Sequence, residues 1–151
     1  MSPLPRLAAL LLAVITVVLS CPSPDWLALT DGECFLPLVP PFSSMDADEA
    51  VQTCHFFGAD VTLPEVLSAP SQERVHLLTG GNSAWLGLRR ANSSSPWLWQ
   101  GGRPANYTHW RDGQPYDTNG RDCVAMDRDG YWSNVDCNSY NYFVICYYKL
   151  A

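Results

Sequence analysis

Six cysteines, all of which follow an apolar N-terminal run, restrict the folds that this 151-residue chain can adopt. An even number of cysteines in a short secreted chain predicts a disulfide framework, which stabilises domains whose hydrophobic core is small. Spacing alone leaves fifteen possible pairings. The cysteines are Cys21, Cys34, Cys54, Cys123, Cys137 and Cys146.

The N-terminal run is typical of a secretory signal peptide. One basic residue, Arg6, precedes an apolar stretch over 7–19, which is shorter than the roughly 20 residues that span a bilayer. Val18 and Ser20 are small enough for a cleavage site, so we expect a signal peptide at 1–20 and one domain at 21–151. Two alternatives remain, an uncleaved N-terminal anchor and bacterial lipidation at Cys21. The expected product is secreted and extracellular.

The composition argues against two classes of partner. The formal net charge is −6 and the basic residues are scattered, whereas nucleic acids and anionic membranes bind clustered Lys and Arg. No segment after the leader has the length and apolar character of a membrane span. Because no cysteine is spare for an interchain bridge, we expect a monomer or a non-covalent dimer.

Turn residues and hydrophobic periodicity predict the elements of the first half of the domain. The opening at 26–38 is typical of a hairpin with its turn at Asp31. Ser43 with Asp46 three residues later predicts a capping box for a helix over 45–57. The apolar stripe of this helix would be Ala47, Ala50, Val51, Cys54 and Phe57.

The second half combines one helix, a long loop region and strands. Ser68 and Pro70 predict the start of a helix over 72–78. The segment 92–119 is rich in Gly, Asn, Pro and aromatic residues, and its aromatics favour order over disorder. Asp129-Gly130 predicts a two-residue hairpin turn. The strand candidates are 123–126, 131–134 and 142–148.

Several short motifs follow one another along the chain. They are Cys21-Pro22 with Trp26 and Cys34, Cys54 with Gly58-Ala59, Trp85-Leu86-Gly87-Leu88, Trp99 with Gly101, Trp110, Gly113-Gln114-Pro115, Cys123-Val124-Ala125-Met126, Trp132 with Cys137, and Ile145-Cys146. Each is weak alone, but in this order they resemble the long form of the C-type lectin-like domain over nearly all of the mature chain. The resemblance implies an α+β fold with two helices, small antiparallel sheets and a long loop region that presents the ligand face.

The same resemblance implies a disulfide pairing. Cys54–Cys146 would tie the first helix to the last strand and close a loop of about 90 residues, worth roughly 4–5 kcal/mol in the chain-entropy model. Cys123–Cys137 would brace the strands beneath the loop region, and Cys21–Cys34 would close the N-terminal hairpin.

Sugar-binding members of this family hold a calcium ion in the long loop. Calcium prefers six to eight oxygen ligands, several of them carboxylates. The matching positions here are Gln114-Pro115-Tyr116, Arg121 and Trp132-Ser133-Asn134, none of which is negatively charged. Tyr116 is a poor ligand and Arg121 would repel the ion. We therefore expect no calcium at the main site and no other cofactor.

Two acidic residues lie close to this triplet. Asp117 and Asp122 match the family's accessory calcium site, whose remaining partners would stand where this sequence has Arg89 and Arg90. Ion pairs of the aspartates with Arg90, Arg121 or Arg111 are favoured over a weak calcium site, because calcium affinity follows the ligand charge count. Asp117 and Asp122 remain weak calcium candidates.

The remaining candidate residues do not indicate catalysis or zinc binding. No nucleophile–base pairing is visible, and the histidines are too dispersed for a zinc site, so we expect no enzyme. Tyr116 would anchor an interface at the loop tip or pack on Pro115.

Asn92 and Asn106 each begin an N-glycosylation sequon in a loop. Five tryptophans match core positions of the family and are expected to be buried rather than to stack on sugars: Trp26, Trp85, Trp99, Trp110 and Trp132.

The leading hypothesis is a secreted, non-enzymatic recognition domain that binds a protein or an extended glycan surface without calcium. One alternative is a calcium-dependent carbohydrate-binding lectin with a remodelled site. Another is a structural or ice- or mineral-surface protein, which the lack of dense acidic runs disfavours. The expected ligand-binding residues are Gln114, Pro115, Tyr116, Asp117, Arg121, Asp122, Ser133 and Asn134.

Overall fold

The computed structural model describes residues 20–29, 32–38 and 44–150. The predicted leader up to residue 19, the turn residue Asp31 and the capping candidate Ser43 lie outside the described residues. No helix within the described ranges is both long and apolar enough to cross a membrane.

The first helix, α1, spans Ala47–His55, so it begins two residues later and ends two residues earlier than the predicted helix over 45–57. Asp46 is the N-cap residue, and its carboxylate accepts the backbone N–H of Glu49 at 2.8 Å. Glu49 returns a bond to the backbone N–H of Asp46, which completes the capping box. The predicted box of Ser43 and Asp46 is therefore wrong. Phe57, expected on the buried stripe, follows the helix end and is 39% exposed.

The second helix, α2, spans Ala69–Leu78 and begins three residues before its predicted start. Ser68 is the N-cap, and its hydroxyl accepts the backbone N–H of Ser71 at 3.3 Å. Pro70 lies in the first turn, where its missing N–H costs no helical bond.

Within the described residues, seven short strands form two antiparallel sheets. The first sheet has the order β1-β2-β7 and the second the order β4-β3-β5-β6. The strands are β1 (Leu27–Ala28), β2 (Glu33–Pro37), β3 (Ala84–Arg89), β4 (Leu98–Trp99), β5 (Cys123–Met126), β6 (Trp132–Val135) and β7 (Ile145–Lys149). The C-terminal end of β3 and the N-terminal end of β5 therefore meet at the edge from which the long loop region departs.

The turn between β5 and β6 is longer than predicted. The backbone N–H of Asp127 donates to the carbonyl of Tyr131 at 2.7 Å, so three residues, 128–130, form the loop. Gly130 has a φ of +89°, the left-handed conformation that closes a three-residue hairpin. The predicted two-residue turn is wrong because Gly130 follows a type I turn instead of standing in a primed turn.

Three disulfides join the elements: Cys21–Cys34, Cys54–Cys146 and Cys123–Cys137. These are the pairs that the family resemblance implies. Cys54–Cys146 joins α1 to β7 across 92 residues of sequence. The fold class is therefore the predicted one, with two helices, two small antiparallel sheets and three disulfides.

An aromatic cluster supports the long loop region. The ring of Trp132 on β6 lies 5.8 Å from Trp99 and 5.7 Å from Trp110, and Tyr107 packs on it at 6.1 Å. Trp97 in turn packs on Trp110. Trp26, Trp85, Trp99 and Trp132 are buried as predicted, while Trp110 is half-buried. Packing of this kind orders the loop without regular secondary structure.

A close backbone contact explains why glycine occupies the third position of the Trp-Leu-Gly-Leu motif. A Cβ atom at residue 87 would stand 2.9 Å from the carbonyl oxygen of Leu63, and the N–H of Gly87 donates to the carbonyl of Pro64. The pairing of β3 with β5 shifts register between Leu86 and Arg89. The close backbone approach therefore requires glycine, and the shift sets the direction in which β3 leaves the sheet.

Candidate functional site

Asn134 on β6 is the centre of the predicted site, and it is fully buried. Its Oδ1 accepts the backbone N–H of Tyr116 at 2.7 Å, and its Nδ2 donates to the carbonyls of Tyr116 and Arg121. Its backbone N–H donates to Oε1 of Gln114 at 3.0 Å. The structure therefore brings Gln114, Tyr116, Arg121 and Asn134 together. The amide of Asn134 bonds within the protein and presents no free atom to a ligand.

The accessible part of the site is the loop that Asn134 holds. The Gln114-Pro115 peptide bond is cis. Tyr116 is 49% exposed, and the Arg121 guanidinium lies over its ring, 5.4 Å from the centroid. The side chain of Asp117 is 87% exposed. An aromatic ring, a guanidinium and a carboxylate thus stand next to one another at the surface.

Ser133 lies apart from this group. Successive side chains of a strand point to opposite faces, so Ser133 and Asn134 diverge. The Ser133 hydroxyl donates to Oδ2 of Asp127 at 2.7 Å. Arg111 also bonds Asp127, and its other bond, to Asp129, lowers the pKa of that carboxyl below its usual value. Ser133 therefore belongs to an ion-paired cluster at the β5–β6 turn.

The two aspartates face Arg90, one of the three pairings expected from the sequence. Nε of Arg90 lies 2.9 Å from Oδ1 of Asp122, and a terminal nitrogen lies 3.9 Å from Oδ1 of Asp117. Arg90 is only 6% exposed, and its guanidinium also lies 4.8 Å from the ring centroid of Trp97. The pairing with Arg111 is wrong, since that residue bonds Asp127 and Asp129, and the pairing with Arg121 is not observed.

The residues at this loop do not fit a calcium ion. Gln114 and Asn134 supply uncharged oxygens, and each of these oxygens already accepts an N–H group of the protein. The carboxylates of Asp117 and Asp122 face a fixed cation instead of an open cavity. Calcium sites gather several free carboxylate and carbonyl oxygens. Within the described residues, no cluster of three His, Cys, Asp or Glu is arranged to hold a metal.

Both glycosylation sequons lie on exposed residues, Asn92 and Asn106. The first lies next to the loop of the candidate site, because the hydroxyl of Ser93 donates to Oδ1 of Asn119 at 2.7 Å. The sequence placed both sequons in loops and did not indicate that Asn92 lies near the candidate site. Sequon position alone could not reveal that Ser93 contacts residue 119, because the two residues meet only in the folded chain.

The sequence did not predict two contacts of the loop region. The stacking of Arg121 over Tyr116 joins residues five positions apart in a loop with no period to predict their directions. The contact of Arg90 with Trp97 forms around a turn of the same irregular segment. Both require the loop conformation, which the aromatic cluster and Asn134 set.

Comparison with known proteins identifies the family. The family model of the lectin C-type domain matches residues 43–148. The mannose-binding protein of Gallus gallus is 28% identical over 86 residues, covering 54% of this chain and 34% of that protein. C-type lectin domain family 4 member G of Mus musculus is 32% identical over 125 residues, covering 79% of this chain and 40% of that protein. The chain thus spans well under half the length of both relatives.

Similarity to a solved structure extends over the whole domain. The carbohydrate-recognition domain of the mouse scavenger receptor C-type lectin has a TM-score of 0.71 and 28% identity, covering 87% of this chain and 98% of that one. The matched family model covers well over half of the chain. This protein therefore belongs to the lectin C-type domain family.

Proposed function

We propose that this protein is a secreted, non-enzymatic recognition domain that binds a protein or an extended glycan surface without a calcium bridge. The observation that carries the proposal is the use of Asn134: its amide is buried and bonded to the loop, while Tyr116 and Arg121 stack at the surface. The binding surface would be the exposed group of Tyr116, Asp117 and Arg121.

The chemistry of that group supports a partner larger than one monosaccharide. A calcium ion can hold a single sugar through two hydroxyls, but Tyr116 and Arg121 offer stacking and charge-assisted hydrogen bonds instead. Tyr and Arg are enriched among residues whose truncation costs most affinity at interfaces. Such contacts reach useful affinity only when neighbouring surface is also covered. Pro115 and Gln114 would position the loop rather than contact the partner.

The proposed extracellular location rests on the leader and the disulfides. All six cysteines are paired, which requires an oxidising compartment. A glycan at Asn92 would lie beside the binding loop and restrict the partners that approach from that side.

The test is binding of the mature, oxidised chain to an array of immobilised oligosaccharides and extracellular protein domains, in calcium and in EGTA. We expect the same ligands in both conditions. Arg121→Ala and Tyr116→Ala should each weaken binding by at least about tenfold, as interface anchors do. Tyr140→Ala is the matched control, because Tyr140 is equally exposed at 53% but contacts Asp46 at the start of α1.

Two results would count against the proposal. Loss of all binding in EGTA would favour a calcium-dependent lectin, with Asp117 and Asp122 as the carboxylates. Equal weakening by Tyr140→Ala and Tyr116→Ala would place the binding surface away from the long loop.

A further inference from the structure

An apolar groove lies at the C-terminal end of α1, outside the candidate site of the long loop region. Its volume is about 640 Å³. The hydroxyl of Thr53 donates to Sδ of Met45 at 3.2 Å, so this polar group already has a partner within the groove. The residues that line the groove are Leu38, Met45, Gln52, Thr53, Phe56 and Phe57.

Phe56 is the most exposed large apolar side chain of the described residues, at 87%. It is the C-cap residue of α1, so the end of the helix fixes its backbone. Its ring contacts the ring of Phe57 edge-on at 5.8 Å, and Phe57 packs on the buried Trp26 at 5.9 Å. A chain of aromatic contacts thus connects the exposed ring to the core. A side chain that is already held in place loses less conformational entropy when a partner covers it.

A second groove continues from the first toward the N-terminal end of α1. The two grooves share Met45, Gln52 and Thr53. The side chain of Asp48 is 73% exposed and pairs with Arg89 at 2.7 Å. The other residues that line the second groove are Asp46, Asp48 and Glu49. The two grooves therefore form one surface, the α1 groove, which is apolar at the C-terminal end of the helix and acidic at its N-terminal end.

The acidic end of the α1 groove has an excess of negative charge. Three carboxylates lie there, and the guanidinium of Arg89 pairs with one of them. The charge of Glu49, and then that of Asp46, raises the pKa of Tyr140 above its usual value. A basic group on a ligand would therefore be attracted to this end of the helix.

We infer that the α1 groove is a docking site for a protein segment that is apolar at one end and basic at the other. Apolar side chains of this segment would cover Phe56 and Met45, and its Lys or Arg side chains would meet Asp48 and Glu49. At a rise of 1.5 Å per residue, Asp48 and Phe56 lie about 12 Å apart along the helix axis, which two turns of an amphipathic helix span. Apolar patches with a polar rim mark such interaction sites.

Two other occupants fit the charges of the α1 groove less well. A second copy of this chain that presented the same face would bring carboxylates against carboxylates. An anionic membrane surface would repel the acidic end of the groove. A segment with a basic end instead complements the carboxylates while its apolar end covers Phe56.

Fluorescence anisotropy with synthetic peptides tests the docking site on the mature, oxidised chain. The probe is a labelled helical peptide of about 14 residues, with Leu on one face of its first half and Lys on the same face of its second half. We expect this Leu/Lys peptide to bind saturably at physiological ionic strength. One control peptide has Gln in place of Leu, and another has Glu in place of Lys. Each should bind at least about tenfold more weakly, because the first lacks the apolar anchors and the second has the wrong charge.

Variants of the chain locate the binding. Phe56→Ser should weaken binding of the Leu/Lys peptide at least about tenfold, and the Tm should stay close to that of the parent because the side chain is exposed. Leu77→Ser is the matched control, since Leu77 is 74% exposed on α2. Asp48→Asn should weaken binding and reduce its dependence on salt. Asp60→Asn removes an exposed carboxylate that lines a different cleft and should change neither.

Three results would overturn the inference. The first is failure of the Leu/Lys peptide to bind the parent chain, whether segment 39–43 of the chain or nothing fills the groove. The second is equal binding of the peptide by Phe56→Ser and Leu77→Ser. The third is dimerisation of the parent chain in sedimentation velocity, or its binding to phosphatidylcholine vesicles, that Phe56→Ser abolishes, because a second copy or a membrane is then the occupant.

These measurements are independent of the proposed function, because none of them involves Tyr116 or Arg121. Phe56→Ser should leave binding through the long loop region unchanged. Tyr116→Ala should likewise leave binding of the Leu/Lys peptide unchanged, so failure of one proposal can be told from failure of the other.

Discussion

At the residue scale, Asn134 joins two parts of the site that are distant in sequence. Its side chain bonds both backbone groups of Tyr116 and the carbonyl of Arg121, while its backbone N–H donates to Oε1 of Gln114. An uncharged amide suits this role because it both donates and accepts. A carboxylate would repel the two carbonyls that Nδ2 now contacts. The residue thus orders the loop by hydrogen bonding alone.

Asn134→Ala should lower the free energy of unfolding by roughly 2–4 kcal/mol, because an N–H and two carbonyls lose their partner in a buried setting. Urea denaturation of the mature chain measures the change. Asn141→Ala is the control, since Asn141 is exposed and should stay within about 0.5 kcal/mol of the parent. Similar losses in both variants would contradict the structural role of Asn134.

At the element scale, the start of α1 depends on one carboxylate. Asp46 caps the helix and Glu49 completes the box, so the backbone N–H groups of Glu49 and Asp46 both have partners. The acidic residues Asp48 and Glu49 also face the positive end of the helix dipole. Because Cys54 lies in the last turn, the register of α1 also places the disulfide to β7.

Asp46→Ala should cost about 1 kcal/mol of stability, the usual loss for an N-cap. Ser43→Ala, which changes the cap residue that the sequence predicted, should leave stability unchanged. Chemical denaturation distinguishes the two. A larger loss in Ser43→Ala would mean that the helix begins where the sequence alone places it.

The strand β7 contains a tyrosine that limits stability at high pH. Burial, and then the nearby charge of Glu33, raise the pKa of Tyr147 above its usual value of 10.0. A raised pKa contributes stability that is present below pH 10 and is lost as pH rises further, because the unfolded chain ionises first.

Tyr147→Phe should therefore lose less stability than the parent chain between about pH 10 and 12, by up to about 1.4 kcal/mol per pH unit. Its hydroxyl bond to Glu33 is long, at 3.4 Å, so the cost at neutral pH should be small. Tyr131→Phe, at an exposed position, is the control. Parallel pH profiles of Tyr147→Phe and the parent would contradict the prediction.

At the scale of the whole molecule, three disulfides and two sheets hold a chain whose long loop region has little regular structure. Cys54–Cys146 connects positions 92 residues apart, whereas Cys21–Cys34 and Cys123–Cys137 close short loops of 13 and 14 residues. In the chain-entropy model a longer loop restricts the unfolded chain more. The helix-to-strand bridge should therefore contribute most.

Replacing both Cys54 and Cys146 by Ala should cost roughly 4–5 kcal/mol, against about 3 kcal/mol for Cys21 and Cys34. Denaturant unfolding of the two double variants measures the difference. The smaller loss in the Cys54–Cys146 variant would show that strain or residual structure outweighs the loop term. Non-reducing peptide mapping confirms that the remaining pairs stay intact.

Much of the fold could be predicted because its signals are local or covalent. The Trp-Leu-Gly-Leu motif marked β3, the strand at 123–126 was predicted with its observed bounds, and both helices were placed within a few residues. The cap of α1 was predicted at Ser43 but lies at Asp46. Ser and Asp can each serve as an N-cap, and only the folded chain selects one. The turn at Asp129-Gly130 was one residue short for the same reason: both turn types accept this pair.

By itself, the sequence determined the family resemblance and the lack of negative charge at the main calcium position, because residue identity decides both. The disulfide set followed from the resemblance. Only the tertiary structure decided that Asn134 is buried, that Ser133 faces Asp127, and that Arg90 and not Arg111 meets the two aspartates. These outcomes depend on contacts between residues 6 to 32 positions apart, where a strand's face and a loop's path select the partner. No periodicity in the sequence encodes that selection, so the chemistry of the loop surface emerges only when the sheet and the loop pack together.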